Sequence, residues 1–291
     1  MQIVNLETPD GARIAVRAYL PETEERGSVV IGGAMGVRQD YYAPFAQWLA
    51  EHGWRVVTFD YRGCGESRPD TLAGGLRGFK ADLFDWARDY EAVIDHAHAA
   101  SPGRPLYLLG HSLGAQLPGL INNPHKVSGL LSVAAGSGYW RENAPRLKRV
   151  VPYFWFILVP LATALCGYFP GKRLGKVGDL PAGVMLQWRR WCLNPRYSVG
   201  AEGEGARQRY ANVQFPITAL SIDDDELMTL RGTQSLFRLY ENAQVNVQRL
   251  DPADVSVRRL GHFGPFRREH EGILWPRMQQ WLLGLAKPGV A

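Results

Sequence analysis

Short apolar segments alternate with amphipathic ones along the first half of the chain. Strand-like apolar runs are followed by longer segments whose apolar residues recur every three or four positions, as in helices. The predicted strands are 14–20, 28–31, 55–59, 105–109 and 130–134, and the predicted helices are 42–52, 81–100 and a segment that begins at Leu113. Strands separated by helices of this length are joined by parallel crossovers. The pattern therefore predicts an α/β fold with a mostly parallel sheet and helices on both faces.

The alternating pattern breaks between residues 137 and 210 and then resumes. The middle stretch is rich in aromatic residues, proline and glycine and shows no strand alternation. The pattern returns with predicted strands at 216–222 and 245–250 and predicted helices at 229–241 and 273–285. We interpret 1–136 and 211–291 as one α/β core domain, and 137–210 as an insertion into it.

Composition limits the class of protein. The chain has 291 residues, 46% hydrophobic and 21% charged, which is usual for a soluble globular protein. Three widely spaced cysteines exclude a disulfide framework and a cysteine-based zinc site, and they fit a reducing compartment. The N-terminal sequence lacks the basic start and apolar run of a signal peptide, so we expect a cytoplasmic protein. The net charge of +5 comes from arginines spread along the chain, without a nucleic-acid-binding motif, so we expect no nucleic-acid partner.

Gly110-His111-Ser112-Leu113-Gly114 matches the pattern G-x-S-x-G, and it follows an apolar strand and precedes a helix pattern. A sharp strand-to-helix turn holds its middle residue at positive φ, at the sheet edge where ligands bind. The flanking glycines lack a Cβ, so strand and helix can pack tightly. Ser112 is therefore the predicted nucleophile, whereas the side chain of His111 should point away from the pocket. Pro118 should kink or shorten the following helix.

A serine hydroxyl needs a base to take its proton, and the base needs a carboxylate to fix its tautomer. Of seven histidines, His262 is the best placed, in a glycine-flanked loop between the last predicted strand and the final helix. The run Asp223-Asp224-Asp225 follows the strand at 216–222. Counting along that strand favours Asp225 as the partner of the histidine, with Asp224 as the alternative.

The segment Ile31-Gly32-Gly33-Ala34-Met35-Gly36 ends the strand whose loop should supply an oxyanion donor. The backbone N–H of Ala34 or Met35 would act together with that of Leu113, and such donors stabilise the oxyanion of a tetrahedral intermediate. The chain contains neither G-x-G-x-x-G nor G-x-x-x-x-G-K-[ST]. We expect no nucleotide, no other organic cofactor and no metal.

Asp60-Tyr61-Arg62-Gly63-Cys64-Gly65-Glu66-Ser67 resembles the D-x-R-G-x-G-x-S segment of α/β-hydrolases of the lipase, esterase and serine-aminopeptidase-like group. With the G-x-S-x-G pattern, the aspartate run and Gly261-His262-Phe263, the resemblance covers about residues 25–136 and 213–284. It implies an α/β-hydrolase fold, with an eight-stranded, mostly parallel sheet and a helical lid inserted after the sixth strand. This chain departs from the family at Gly32-Gly33, where the family usually has His-Gly.

Residues 150–169 form a run of twenty residues without a charge, inside the insertion. Length and hydropathy alone would indicate a transmembrane helix. However, a span here would separate Ser112 from His262 across a membrane, and Pro152 and Pro160 should break the helix. We interpret the run as part of a lid over the active-site mouth that helps to form an acyl pocket. Its basic flanks also suit a peripheral contact with anionic lipid.

Together these features predict a serine hydrolase of the carboxylesterase or lipase type, which acts on an ester of an apolar acyl group through an acyl-enzyme. A thioester or an amide is the alternative substrate. An acyltransferase would use the same residues, with an alcohol or thiol replacing water, and a non-catalytic ligand-binding homologue would keep the fold. The expected partner is a small acyl substrate, and the sequence indicates no particular oligomeric state.

Overall fold

The computed structural model describes residues 1–72 and 74–285. The strands are β1 (Gln2–Glu7), β2 (Arg13–Tyr19), β3 (Gly27–Gly32), β4 (Trp54–Phe59), β5 (Leu106–His111), β6 (Gly129–Val133), β7 (Tyr168–Phe169), β8 (Leu180–Pro181), β9 (Ile217–Ile222) and β10 (Val245–Leu250). Eight of them form one sheet in the order β1-β2-β4-β3-β5-β6-β9-β10. The pairs β1–β2 and β2–β4 are antiparallel and the remaining pairs are parallel. The predicted mostly parallel eight-stranded sheet is confirmed.

Helices cover both faces of this sheet. The α-helices are α1 (Ala43–Glu51), α2 (Leu83–Ala100), α3 (Leu113–Gln116), α4 (Pro145–Tyr153), α5 (Val159–Cys166), α6 (Ala182–Leu193), α7 (Tyr197–Glu202), α8 (Glu204–Ala211), α9 (Leu230–Phe237) and α10 (Leu274–Gly284). Successive residues of a strand face opposite sides. Val30 therefore packs in one apolar cluster with Trp86 of α2. Val29 and Ile31 pack in the other with Phe45 of α1.

The helix after Ser112 is short. It ends at Gln116, and a 3-10 turn, Leu117–Leu120, carries Pro118. A proline inside an α-helix removes one hydrogen bond and clashes with the preceding turn. The prediction that Pro118 shortens this helix is confirmed.

Between β6 and β9 the chain forms helices α4 to α8 and the small antiparallel pair β7–β8. The π-helical segment Phe154–Leu158 connects α4 to α5, and the result is one helix from Pro145 to Cys166. The prediction that Pro152 and Pro160 break this helix is wrong. The N–H of Val159 bonds to the carbonyl of Phe154, five residues earlier. This wider turn precedes Pro160 and accommodates its ring, which would clash with a carbonyl in a regular α-helix. Pro152 lies inside α4, before the π-helical segment.

The segment 60–67, on which the family resemblance depends, forms hydrogen bonds that hold the framework. The carboxylate of Asp60 accepts hydrogen bonds from the backbone N–H groups of Gln39 and Glu66, at 2.8 and 2.9 Å. Arg62 donates from Nε to the buried carboxylate of Asp89 at 2.7 Å. Burial raises the pKa of Asp89 to about 6, against the opposing effect of Arg62. This motif therefore joins the end of β4 to α2.

Candidate active site

Ser112 lies at the turn between β5 and α3, with φ 53° and ψ −111°. Its N–H donates to the carbonyl of Val133 in the neighbouring strand at 3.0 Å. A Cβ on Gly114 would lie 2.0 Å from the carbonyl oxygen of Gly32, and a Cβ on Gly110 would lie 2.5 Å from the main chain of α3. The backbone strain at Ser112 is thus maintained by close packing that only glycine permits on either side.

His262 and Asp225 form a buried pair. Nδ1 of His262 lies 2.8 Å from Oδ2 of Asp225, and the two side chains are 2% and 1% exposed. The other carboxylate oxygen accepts the N–H groups of Leu227 and Met228, at 2.7 and 2.8 Å. Since this carboxylate is surrounded by donors, the proton of the pair resides on Nδ1. In the neutral imidazole Nε2 of His262 is then an acceptor, which is the state a general base requires.

The two preceding aspartates have other partners. Asp224 accepts hydrogen bonds from the N–H groups of Leu260 and Gly261, at 2.9 and 2.8 Å. Asp223 forms an ion pair with Arg249. Asp224 therefore fixes the loop that carries the histidine, while Asp225 bonds to its imidazole. Of the two alternatives for the carboxylate partner, the geometry favours Asp225.

Glu226 is a further support that the sequence reasoning missed. Its carboxylate accepts the backbone N–H of His262 at 3.1 Å. The available signal was the acidic run itself, which continues for one residue beyond the three aspartates. His262 is therefore held through its backbone by Glu226 and through its side chain by Asp225.

His111 is buried, and its ring links two loops. Nε2 lies 3.0 Å from the carbonyl oxygen of His262, and Nδ1 lies 2.8 Å from Oη of Tyr42. The N–H of Ala34 donates to the same Oη at 2.9 Å. Burial, together with the neighbouring His262, holds the pKa of His111 well below its usual value, so the ring is neutral.

The directions of these bonds follow from the chemistry of each group. A carbonyl only accepts, so Nε2 of His111 carries the proton and Nδ1 accepts from the phenol of Tyr42. Burial raises the pKa of Tyr42, and its hydroxyl therefore keeps the proton that it donates. The phenol oxygen in turn accepts from Ala34. One continuous chain of hydrogen bonds joins the loop after β3 to the loop of His262.

These hydrogen bonds help to decide which backbone N–H group could act as the predicted oxyanion donor. The strands β3 and β5 are neighbours, with Gly32 opposite Gly110, so the loop after β3 lies beside the Ser112 turn. The N–H of Ala34 is already bonded to Tyr42. Within residues 1–72 and 74–285, the N–H groups of Met35 and Leu113 have no hydrogen-bond acceptor. The geometry therefore favours Met35 over Ala34 as the partner of Leu113.

Ser112 and His262 are near one another, without a hydrogen bond between them in the part of the chain that the structure describes. The ring centroid of His262 lies 5.1 Å from the ring centroid of His111, the residue before Ser112. Ser112 is 8% exposed and His262 is 2% exposed. Catalytic hydrogen bonds are often long in a free enzyme and shorten when substrate binds.

Apolar side chains of the insertion share a buried cluster with the loop after β3 and the turn of Ser112. Val151, Trp155 and Val159, on the inner side of the long helix, belong to the same buried cluster as Met35 and Leu113. The main chains also meet: a Cβ on Gly36 would lie 2.7 Å from the nitrogen of Gly178. The insertion therefore lies over the loop after β3.

A mostly parallel sheet with a serine at positive φ between strand and helix, and a histidine–aspartate pair on loops after its last strands, defines the class of α/β-hydrolases. Within this class, the chain belongs to the serine aminopeptidase (S33) family. The family model described as serine aminopeptidase, S33, matches residues 23–168, about half of the chain.

Curated relatives match over shorter stretches. The monoacylglycerol lipase of Mycolicibacterium smegmatis is 32% identical over 104 residues, which is 36% of this chain and 35% of the lipase. The match thus spans about a third of the length of this relative.

Solved structures match over nearly the whole chain. A soluble variant of the monoglyceride lipase of Saccharomyces cerevisiae has a TM-score of 0.66 at 16% identity, and the alignment covers 99% of this chain and 95% of that one. A thermostable carboxyl esterase of Bacillus coagulans has a TM-score of 0.63 at 14% identity, covering 98% and 99%. At such identities the likeness concerns the fold alone.

Proposed function

We propose that this chain is a serine hydrolase that cleaves a carboxylic ester of an apolar acyl group. The observation that carries the proposal is the 2.8 Å hydrogen bond between Nδ1 of His262 and Asp225, beside the Ser112 turn. With the proton of the neutral imidazole on Nδ1, Nε2 can take the proton of the serine hydroxyl.

In the proposed reaction, Oγ of Ser112 attacks the ester carbonyl while its proton passes to Nε2 of His262. The N–H groups of Leu113 and Met35 stabilise the oxyanion, and each such donor is typically worth roughly 3 kcal/mol of the barrier. Collapse of the intermediate breaks the bond to the alcohol, which leaves with the proton from His262. Water then attacks the acyl-enzyme by the same steps and releases the acid.

An apolar acyl group is supported by the surroundings of the donors. Trp155 and Val159 of the insertion pack in the cluster that contains Leu113 and Met35, so an acyl chain bound here would meet aromatic and aliphatic surface. The monoacylglycerol lipase among the relatives supports the same substrate class. Ser112 is only 8% exposed. In the proposal the insertion acts as a lid that moves to admit the substrate.

Labelling with a fluorophosphonate probe tests the chemistry. We expect covalent modification of Ser112 in the folded protein and loss of labelling in Ser112→Ala and His262→Ala. A folded protein that resists the probe would refute the proposed catalysis.

A series of p-nitrophenyl esters from acetyl to dodecanoyl tests the substrate class. We expect kcat/KM to rise with acyl length, because each added methylene buries more apolar surface. Rates that do not depend on chain length would refute the proposed apolar acyl pocket but would not contradict the proposed serine chemistry. Adding a primary alcohol measures how the acyl-enzyme partitions between water and the alcohol. The proposal requires free acid as the main product.

A further inference from the structure

The long helix of the insertion has an exposed apolar stripe, which we name the docking face. Eleven large hydrophobic residues are exposed among those that the structure describes, and six of them lie on this one helix. They are Val150, Tyr153, Phe156, Ile157, Leu161 and Leu165. Isolated exposed apolar residues are ordinary, but a contiguous stripe of this length marks an interaction surface.

The opposite side of the same helix is attached to the protein. Val151, Trp155, Val159 and Thr163 recur every four residues and are buried. Nε of Arg189 also donates to the carbonyl of Trp155 at 2.6 Å. The helix is therefore apolar on two sides, of which one is held by the core and the other faces solvent.

By length and composition this helix could cross a membrane, since it has 22 residues and contains an 18-residue window with a mean hydropathy of 1.6. Crossing would require the buried side to leave the core. The arrangement fits a helix that lies flat on a surface.

The charges around the docking face have one sign. Residues 143–178 contain no acidic residue. Their basic residues are Arg146, Lys148, Arg149, Lys172, Arg173 and Lys176, all exposed. None of these six forms a salt bridge within the described ranges. The apolar stripe is thus flanked by exposed cations before it and after it in sequence.

We propose that the docking face binds the surface of an anionic phospholipid bilayer, with the long helix parallel to the membrane plane. The outward side chains would enter the boundary between headgroups and acyl chains, while the cations meet lipid phosphates. A second copy of this chain is a poorer partner, because pairing two docking faces would bring two sets of six cations together. Binding of this kind does not depend on the proposed esterase activity.

Flotation of the full chain with lipid vesicles tests the proposal. We expect flotation with vesicles of phosphatidylcholine and phosphatidylglycerol, and much less with phosphatidylcholine alone or at high salt. Ile157→Glu combined with Leu161→Glu should weaken binding at least roughly tenfold, since each charge would enter the apolar boundary. The matched control is Ile273→Glu with Leu283→Glu, which alters exposed apolar residues away from the docking face and should bind like the natural chain.

A second variant keeps the test independent of the helix itself. Lys172→Gln with Arg173→Gln and Lys176→Gln changes exposed side chains only, and it should reduce binding to anionic vesicles. Unchanged flotation of both variants, or absence of flotation by the natural chain, would overturn the proposal. So would a dimer, seen by light scattering without lipid, that Ile157→Glu and Leu161→Glu dissociate. Fluorophosphonate labelling of Ser112 is measured separately, so failure of the esterase proposal would remain distinguishable.

Discussion

The imidazole of His111 donates from Nε2 to the main-chain carbonyl of His262 across 3.0 Å. The residue before the proposed nucleophile thus supports the loop of the proposed base. Through Nδ1 and the phenol of Tyr42 the same ring connects to Ala34, next to the proposed oxyanion donor Met35. His111 and Tyr42 fix the loop of the proposed base relative to the loop of the proposed oxyanion donor. They do so without contact to a reacting atom, and they are therefore positioning residues.

Removal of the Tyr42 hydroxyl should loosen this connection. In Tyr42→Phe, the buried N–H of Ala34 and Nδ1 of His111 both lose their partner, which should cost about 1–3 kcal/mol of unfolding free energy. Because the loop of Met35 would be less fixed, we expect kcat on a soluble ester to fall roughly tenfold with little change in KM. Steady-state kinetics and urea unfolding measure the two effects.

Tyr61→Phe is the matched control for that variant. The hydroxyl of Tyr61 is also buried, and it has no hydrogen-bond partner among the residues that the structure describes. Its removal should leave stability equal or slightly higher and kinetics unchanged. If Tyr42→Phe behaved like Tyr61→Phe in both assays, Tyr42 would have no positioning role.

The neutral state of His111 should be visible in the pH dependence of stability. Its pKa is lowered in the folded protein by burial and by His262, whereas in the unfolded chain it is near 6.5. Below that pH the unfolded chain takes up a proton that the folded protein does not, so stability falls as pH falls. The slope from this one group approaches about 1.4 kcal/mol per pH unit.

His111→Gln removes this titration and retains a side-chain donor. The difference in unfolding free energy between natural protein and variant should therefore shrink as pH is lowered from 7 to 5. Denaturant unfolding at several pH values provides the measurement. The control variant is His98→Gln, at an exposed position of α2. Parallel curves for the natural protein and His111→Gln would contradict a neutral His111.

Local patterns were sufficient for part of the site. Ser112 could be predicted because a strand, a glycine-flanked serine and a helix follow each other in sequence. His262 could be predicted because it lies in a glycine-flanked loop after the last strand. Counting along the strand favoured Asp225 but left Asp224 open, since the distinction depends on the position of a loop distant in sequence. The carboxylate of Asp224 bonds to Leu260 and Gly261 in that loop.

Features that rest on long-range packing were missed. Tyr42 has an ordinary position just before α1, and only the folded chain brings it to His111. Strand β1 was not predicted, because it lies at the edge of the sheet and its side chains are largely exposed. Pro152 and Pro160 were expected to break a helix that in fact runs from Pro145 to Cys166. Local propensity is overruled in such cases by the contacts of the whole fold.

Replacement of each carboxylate singly should distinguish the roles of Asp224 and Asp225. Asp225→Asn can no longer hold the proton of His262 on Nδ1, and we expect kcat to fall by a factor on the order of 10⁴. Asp224→Asn retains one acceptor oxygen for the loop, so the loss of activity should be far smaller and a loss of stability should dominate. Kinetics on one soluble ester and thermal unfolding of both variants test this. Equal losses of kcat would contradict the assignment.

Two glycine-to-alanine exchanges should have opposite effects on stability. A Cβ at Gly114 would lie 2.0 Å from the carbonyl oxygen of Gly32, so strand β3 and helix α3 would have to separate. Overpacking of this kind typically costs about 1–3 kcal/mol or more, and the Ser112 turn should shift with it. We therefore expect Gly114→Ala to lower both the melting temperature and the rate of fluorophosphonate labelling.

Gly205 in α8 is the matched position, because an added methyl group would have no described atom within 4 Å and the residue has no positive φ. Gly205→Ala should raise stability by about 0.5–1 kcal/mol, because alanine loses less backbone entropy in a helix. Labelling of Ser112 should not change. Loss of labelling in Gly114→Ala at unchanged melting temperature would locate the effect in the turn itself. A stable, fully labelled Gly114→Ala would show that β3 and α3 are not in close contact.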